Sequence, residues 1–167
     1  MGAFESFVSE TIRTLVNSKP PLAAVLLSTE STKKHFPSRA VSVEDLANHD
    51  FNVAACMGDL LLRDRHLDSL PVIKDVLSAI FPTEDAHRQR LNSPDLWLLW
   101  QRRHLIVHRR GVVDSGYLAK TSDTATLGER LCVSARYVES CFSLIVQTAV
   151  ELMAILQEFS EPGGKGV

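Results

Sequence analysis

The stretch Ser93-Pro94-Asp95-Leu96-Trp97-Leu98-Leu99-Trp100-Gln101-Arg102-Arg103-His104-Leu105-Ile106-Val107-His108-Arg109-Arg110-Gly111 carries its own start and stop signals. Ser93 can cap a helix by accepting from backbone N–H groups that have no intrahelical partner. Pro94 suits the first turn, where its missing N–H is not needed, and Asp95 complements the positive end of the helix dipole. Gly111 is the residue expected just beyond a helix C-terminus. Residues 95–110 are therefore expected as one uninterrupted helix. At about 100° per residue, Leu96, Leu99, Trp100, Arg103, Ile106 and Val107 share one sector, while Trp97, Gln101, His104 and His108 share another.

Working outward, the same signals recur at helical period. Phe4, Phe7, Val8, Ile12, Leu15 and Val16 form one helical face, closed by Pro20-Pro21. Leu22 to Leu27 reads as a helix or a strand, and helix is preferred because nothing nearby offers a strand partner. Ser42-Val43-Glu44-Asp45 is a second capped start, and a helix is expected to run from it through Leu46, Phe51, Ala54 and Ala55 to Leu62. Leu70 to Phe81 is apolar at helical spacing and ends at Pro82. The Gly-, Asp-, Ser- and Thr-rich segment 112–128 reads as a loop. From Glu129 onward, Val138, Phe142, Ile145, Ala149, Leu152, Ile155 or Leu156, and Phe159 step by three or four, the mark of a long amphipathic helix. No strand ladder and no repeat is visible. The expected fold is all-α, a bundle of about five helices in a single domain over 1–160, with residues 161–167 as a flexible tail.

The chain has 167 residues and a formal charge of −2, and its composition is that of an ordinary globular protein. Residues 87–110 hold six arginines against one acid, so the segment carries +5 and the remainder −7. Charge concentrated in this way is suited to an anionic ligand, and the overall acidity argues against indiscriminate coating of nucleic acid. Cys56, Cys132 and Cys141 have no paired spacing and read as small core residues in a reducing compartment. The start lacks a signal peptide, and Leu144–Leu156, interrupted by Gln147 and Glu151, is short for a bilayer span; a cytoplasmic protein is expected.

Arg103 lies in the middle of an apolar stripe and cannot shed its charge, so it either pairs with a carboxylate or lines a cleft where an anion binds. Asp59, set among Ala54, Ala55, Cys56, Met57, Gly58, Leu60, Leu61 and Leu62, is the first candidate for that carboxylate. His104 and His108 share a helix face. Metal binding is not expected there, because no third ligand is near and the arginines repel a cation.

Arg103-His104-Leu105-Ile106-Val107-His108 is similar to the R-[NDH]-x-x-x-H signature of HEPN-domain proteins. The continuation Gly111-Val112-Val113-Asp114-Ser115-Gly116-Tyr117-Leu118 resembles the G-x-V-D-x-x-Y-L extension of HEPN-like families that include the RiboL-PSP-HEPN group. The first forty or so residues lie outside this resemblance. It implies a helical domain that commonly dimerises into a composite site, and a metal-independent endoribonuclease needing no cofactor. On this likeness Arg103 and His108 are the catalytic pair and His104 supports them. Arg102, Arg109 and Arg110 contact RNA phosphates, and Tyr117 either stacks on a base or anchors the loop. Cleavage would run through the ribose 2′-hydroxyl to a 2′,3′-cyclic phosphate. It also implies a toxin or defence-system component, with an antitoxin protein as a further partner. The alternative is a non-catalytic HEPN module that binds RNA, a nucleotide or a partner protein.

Overall fold

The computed structural model describes residues 2–37, 40–63, 67–82 and 85–160; the expected tail lies outside them. The fold is all-α, as expected, with ten helices among the described residues where about five were anticipated. The chain divides into two compact units, Met1–Glu84 and Asp85–Val167.

The first unit contains α1 (Gly2–Ser18), α2 (Pro21–Ser28), α3 (Glu30–Lys33), α4 (Val43–Ala47), α5 (Met57–Leu62) and α6 (Leu70–Ile80). The expected face of α1 is the buried one: Phe4, Val8, Ile12, Leu15 and Val16 all point inward. The ambiguous segment after Pro20 is helix, with Pro21 in its first turn. Ser42 caps α4 in a capping box with Asp45, whose carboxyl is held at about 2 by Arg63 and Ser42. The helix expected to run on to Leu62 is broken. Asp50 and Phe51 both adopt left-handed backbone, with φ of 51° and 57°, and the chain turns before α5 begins. His49-Asp50-Phe51-Asn52 offers two side chains, Asp and Asn, that compete with helical hydrogen bonds, which the apolar pattern alone does not register.

The close approach of α5 to α1 explains Asp59. Gly58 donates its N–H to Asn17 Oδ1 at 2.6 Å, and a Cβ at Gly58 would collide with the Arg13 carbonyl. Asp59 then accepts from Asn17 Nδ2 at 2.8 Å and lies 3.7 Å from Arg13 Nε. Its place among apolar neighbours is thus accounted for inside its own unit, by Asn17 and Arg13.

The second unit contains α7 (Asp85–Leu91), α8 (Pro94–Arg109), α9 (Ser115–Lys120) and α10 (Ala135–Ser160). Ser93 caps α8 by accepting from Leu96 N–H, as its sequence implies. The segment expected to be wholly loop holds α9, capped by Asp114, which accepts from Tyr117 N–H at 2.7 Å. Arg90 holds α7 to α10 through two hydrogen bonds to Glu151, one of them Nε to Oε2 at 2.7 Å. The long helix starts at Ala135, six positions later than expected, and is apolar on two faces. Thr148, Leu152 and Phe159 are buried, whereas Val138, Phe142, Val146, Val150 and Met153 are exposed. Over Ala135–Gln157 it is long and apolar enough to cross a membrane by length and composition, a longer run than Leu144–Leu156 had suggested. Cys56 is buried, but Cys132 is exposed and Cys141 half-buried, which corrects the reading of all three as core residues.

Candidate nucleic-acid interface at the end of α8

Leu96, Leu99 and Trp100 bury the first half of α8. In the second half the inward residue is Leu105, which packs with Val113 and Tyr117 in a small buried cluster. Ile106 and Val107, expected on the buried stripe, are instead exposed, Val107 by 61%. Arg103 is half-buried, not mostly buried as its place in the stripe implied. His104, His108, Arg109 and Arg110 are exposed. The four-residue spacing brings the rings of His104 and His108 to 4.6 Å between centroids, tilted by 45°.

The helix ends in an unusual way. Its C-cap is Arg110, in the left-handed region at φ 54°, and Gly111 follows at φ 78°. The N–H groups of Arg110 and Gly111 both donate to the Leu105 carbonyl. Gly111 supplies the conformation that terminal geometry needs, but Arg110 adopts it too, at the steric cost of a side chain.

The chain then folds back on the helix end. Val113 N–H donates to the Glu129 carbonyl, Gly128 N–H to the Val113 carbonyl, and Leu131 N–H to the Gly111 carbonyl, each at 2.9 Å. This return path delivers Asp123 to Arg102. Arg102 donates Nε to Asp123 Oδ2 at 2.8 Å, with Nη2 at 2.7 Å from the same oxygen and the Tyr117 hydroxyl 3.3 Å from Nε. The Tyr117 hydroxyl also donates to Asp123. On its other side the Arg102 guanidinium lies 4.8 Å from the centre of the Tyr137 ring, a cation–π contact.

The electrostatics of this network are those of a paired, part-buried charge. Burial alone would raise the Asp123 carboxyl; the hydrogen bonds from Tyr117 and Arg102 outweigh it and hold Asp123 below its ordinary value. Burial alone would lower Arg102, and its bonds to Tyr117, Asp123 and Tyr137 hold it above its ordinary value. Burial pushes Tyr117 up, with Asp123 adding to it. Burial also pushes Tyr137 up to about 12, with a hydrogen bond to Cys141 adding to it.

These contacts divide the expected site residues into two groups. His104, His108, Arg109 and Arg110 stand on the exposed end of α8, with Arg103 half-buried beside them. Arg102 and Tyr117, expected to touch RNA, are engaged by Asp123, and Tyr117 is buried and serves as the anchor of its loop. Sequence reading missed Asp123 and Tyr137, which lie far along the chain in a polar loop and a helix start and show no spacing relation to Arg102. An open concavity of about 570 Å³, lined by Arg109, Val112, Asp114, Ser115 and Gly116, adjoins the exposed group. No cluster of three or more potential metal ligands occurs among the described residues. No protein-family model, curated protein or solved structure matches the chain.

Proposed function

We propose that this protein is a metal-independent endoribonuclease, with Arg103 and His108 as the catalytic pair. The observation that carries the reading is the exposed, adjacent His104 and His108 at the basic end of α8. Imidazole titrates near neutrality, so His108 takes the proton of a ribose 2′-hydroxyl as that oxygen attacks the adjacent phosphorus. The P–O5′ bond breaks, a 2′,3′-cyclic phosphate forms, and the proton taken by His108 balances the one gained by the departing 5′-oxygen. Arg103 holds the phosphate oxygens with a planar, permanently charged fork while negative charge builds. His104 orients its neighbour. Arg109 and Arg110 contact flanking phosphates, and DNA, without the 2′-nucleophile, is spared. Arg102 has no part in binding on this reading, because its charge is engaged by Asp123.

The spacing also bears on partners. Five residues turn Arg103 roughly 140° from His108 around the helix axis. Convergence of both on one phosphate is met by a second copy of α8, which is the composite homodimer that the HEPN resemblance implies.

The deciding experiment incubates the purified protein with mixed RNA in EDTA and maps the products. Cleavage leaving cyclic-phosphate ends is expected. The concavity beside Arg109 favours a second reading, binding without cleavage, since its volume suits a nucleotide and neither histidine lines it. Retention of intact RNA or nucleotide with no cleavage would establish that reading and remove the nuclease.

A further inference from the structure

The exposed face of α10 is the largest feature of the second unit left unexplained by the nuclease reading. Val138, Phe142, Val146, Val150 and Met153 each expose between 42% and 69% of their surface. On the helix they fall within one arc, centred roughly 120° from the arc of Thr148, Leu152 and Phe159 that faces the unit's interior. From Ser140 to Val150 the helix has no charged residue. A solvated helix face normally carries charge, so this one is built to be covered.

We propose that the covering partner is the same stripe on a second copy of this chain, packed antiparallel about a two-fold axis at Val146. This takes the homodimer of the preceding reading and gives it a surface, but it rests on α10 alone. Three features favour a copy of itself. The first is size. The five side chains expose on the order of 500 Å², and a standard interface buries about 800 Å² per partner, about two-thirds of it apolar in homodimers. The stripe therefore supplies about the apolar area that such a dimer needs.

The second is self-complementarity. With Val146 on the axis, Phe142 of one copy meets Val150 of the other, a large side chain against a smaller one, at both ends of the contact. The third is period. A stripe stepping mainly by four is a ridge of the kind that interdigitates with its equivalent at a crossing angle near −50°. Glu139 falls within the arc of the stripe, about 10 Å along the axis from Val146, at the end of the contact with Val138 and Met153. Arg136 is a single basic residue beside the stripe, where an anionic lipid surface would be met by a row of them.

The test uses the full chain without RNA. Sedimentation equilibrium should give a dimer at about 10 μM. Val146→Asp and Val146→Lys each place like charges together on the axis and should weaken association by at least about 100-fold. Both change an outward side chain, so far-ultraviolet circular dichroism should remain that of the parent. An equimolar mixture of the two variants should recover a dimer, because opposite charges then meet at the axis. A parent protein that stays monomeric at about 100 μM, whether or not it sediments with phosphatidylcholine–phosphatidylglycerol vesicles, overturns the proposal. So does a dimer that both variants leave intact, or a mixture that stays monomeric. Ribonuclease activity is measured separately: an inactive dimer refutes the nuclease alone, and an active monomer refutes both this interface and the composite site made from two copies of α8.

Discussion

Arg110 is a left-handed residue at a position where glycine or asparagine would sit without strain. A left-handed L-residue costs about 1 kcal/mol, partly offset here by the attraction of its charge to the negative end of α8. Arg110→Gly is therefore expected to raise the melting temperature by about 2 °C while weakening RNA binding and lowering its salt slope by about one unit. A variant that binds RNA as tightly as the parent would take Arg110 out of the interface. At the same scale, Arg103→Ala and His108→Ala should each lower cleavage by roughly 10²–10⁴-fold. Acting on one transition state, together they should be little worse than either alone. His104→Ala should lose less, since it orients and does not transfer the proton. Full activity in a folded His108→Ala protein would exclude it as the base.

Among the elements, the loop between α9 and α10 is tied to the end of α8 by backbone hydrogen bonds at residues 128–131 and to Arg102 by the Asp123 carboxylate. Asp123→Asn should cost about 2 kcal/mol at neutral pH, because it leaves Arg102 without its counter-charge in a part-buried site. The native carboxyl of Asp123 is held below its ordinary value of 3.8. Its contribution is therefore complete above that value and is lost as the pH falls through the lowered one. Denaturant titrations of parent and variant should differ at pH 6 and draw together as the pH falls below the ordinary 3.8; a difference independent of pH would refute the pairing. In the first unit, Gly58→Ala should separate α5 from α1 and cost about 2–3 kcal/mol, seen as a lower denaturation midpoint. Two helix starts were legible in the sequence, since Ser42 and Ser93 cap as read, whereas the Asp114 cap of α9 lay in a segment read as loop. What the sequence concealed were long-range pairings and the choice of buried face. Val138 and Phe142 fit the period of α10 as well as Thr148 and Leu152 do, and only packing decides between them. Likewise the spacing displayed Arg102 and Tyr117 as available, because Asp123 has no sequence relation to either. The histidine pair was legible, since four-residue spacing alone makes neighbours on a helix.

For the molecule as a whole, two compact units divide the chain at Glu84 and Asp85. The two tryptophans and two tyrosines, Trp97, Trp100, Tyr117 and Tyr137, all belong to the second. The first unit is thus almost dark in the near ultraviolet, while circular dichroism at shorter wavelengths sees both. Tryptophan emission during unfolding should accordingly track α8 alone, and Asp123→Asn should shift that emission curve more than the dichroism curve. Both tyrosines flank the Arg102 guanidinium and both have raised values, so phenolate absorbance should rise at a pH above the ordinary 10.0 in the native protein and return to it in denaturant. The unfolded chain ionises first, so alkali should erode stability in that interval. A native titration at the ordinary value would contradict the network. Because no phenol or indole lies elsewhere, the protein carries an intrinsic optical label confined to the half that holds the basic helix.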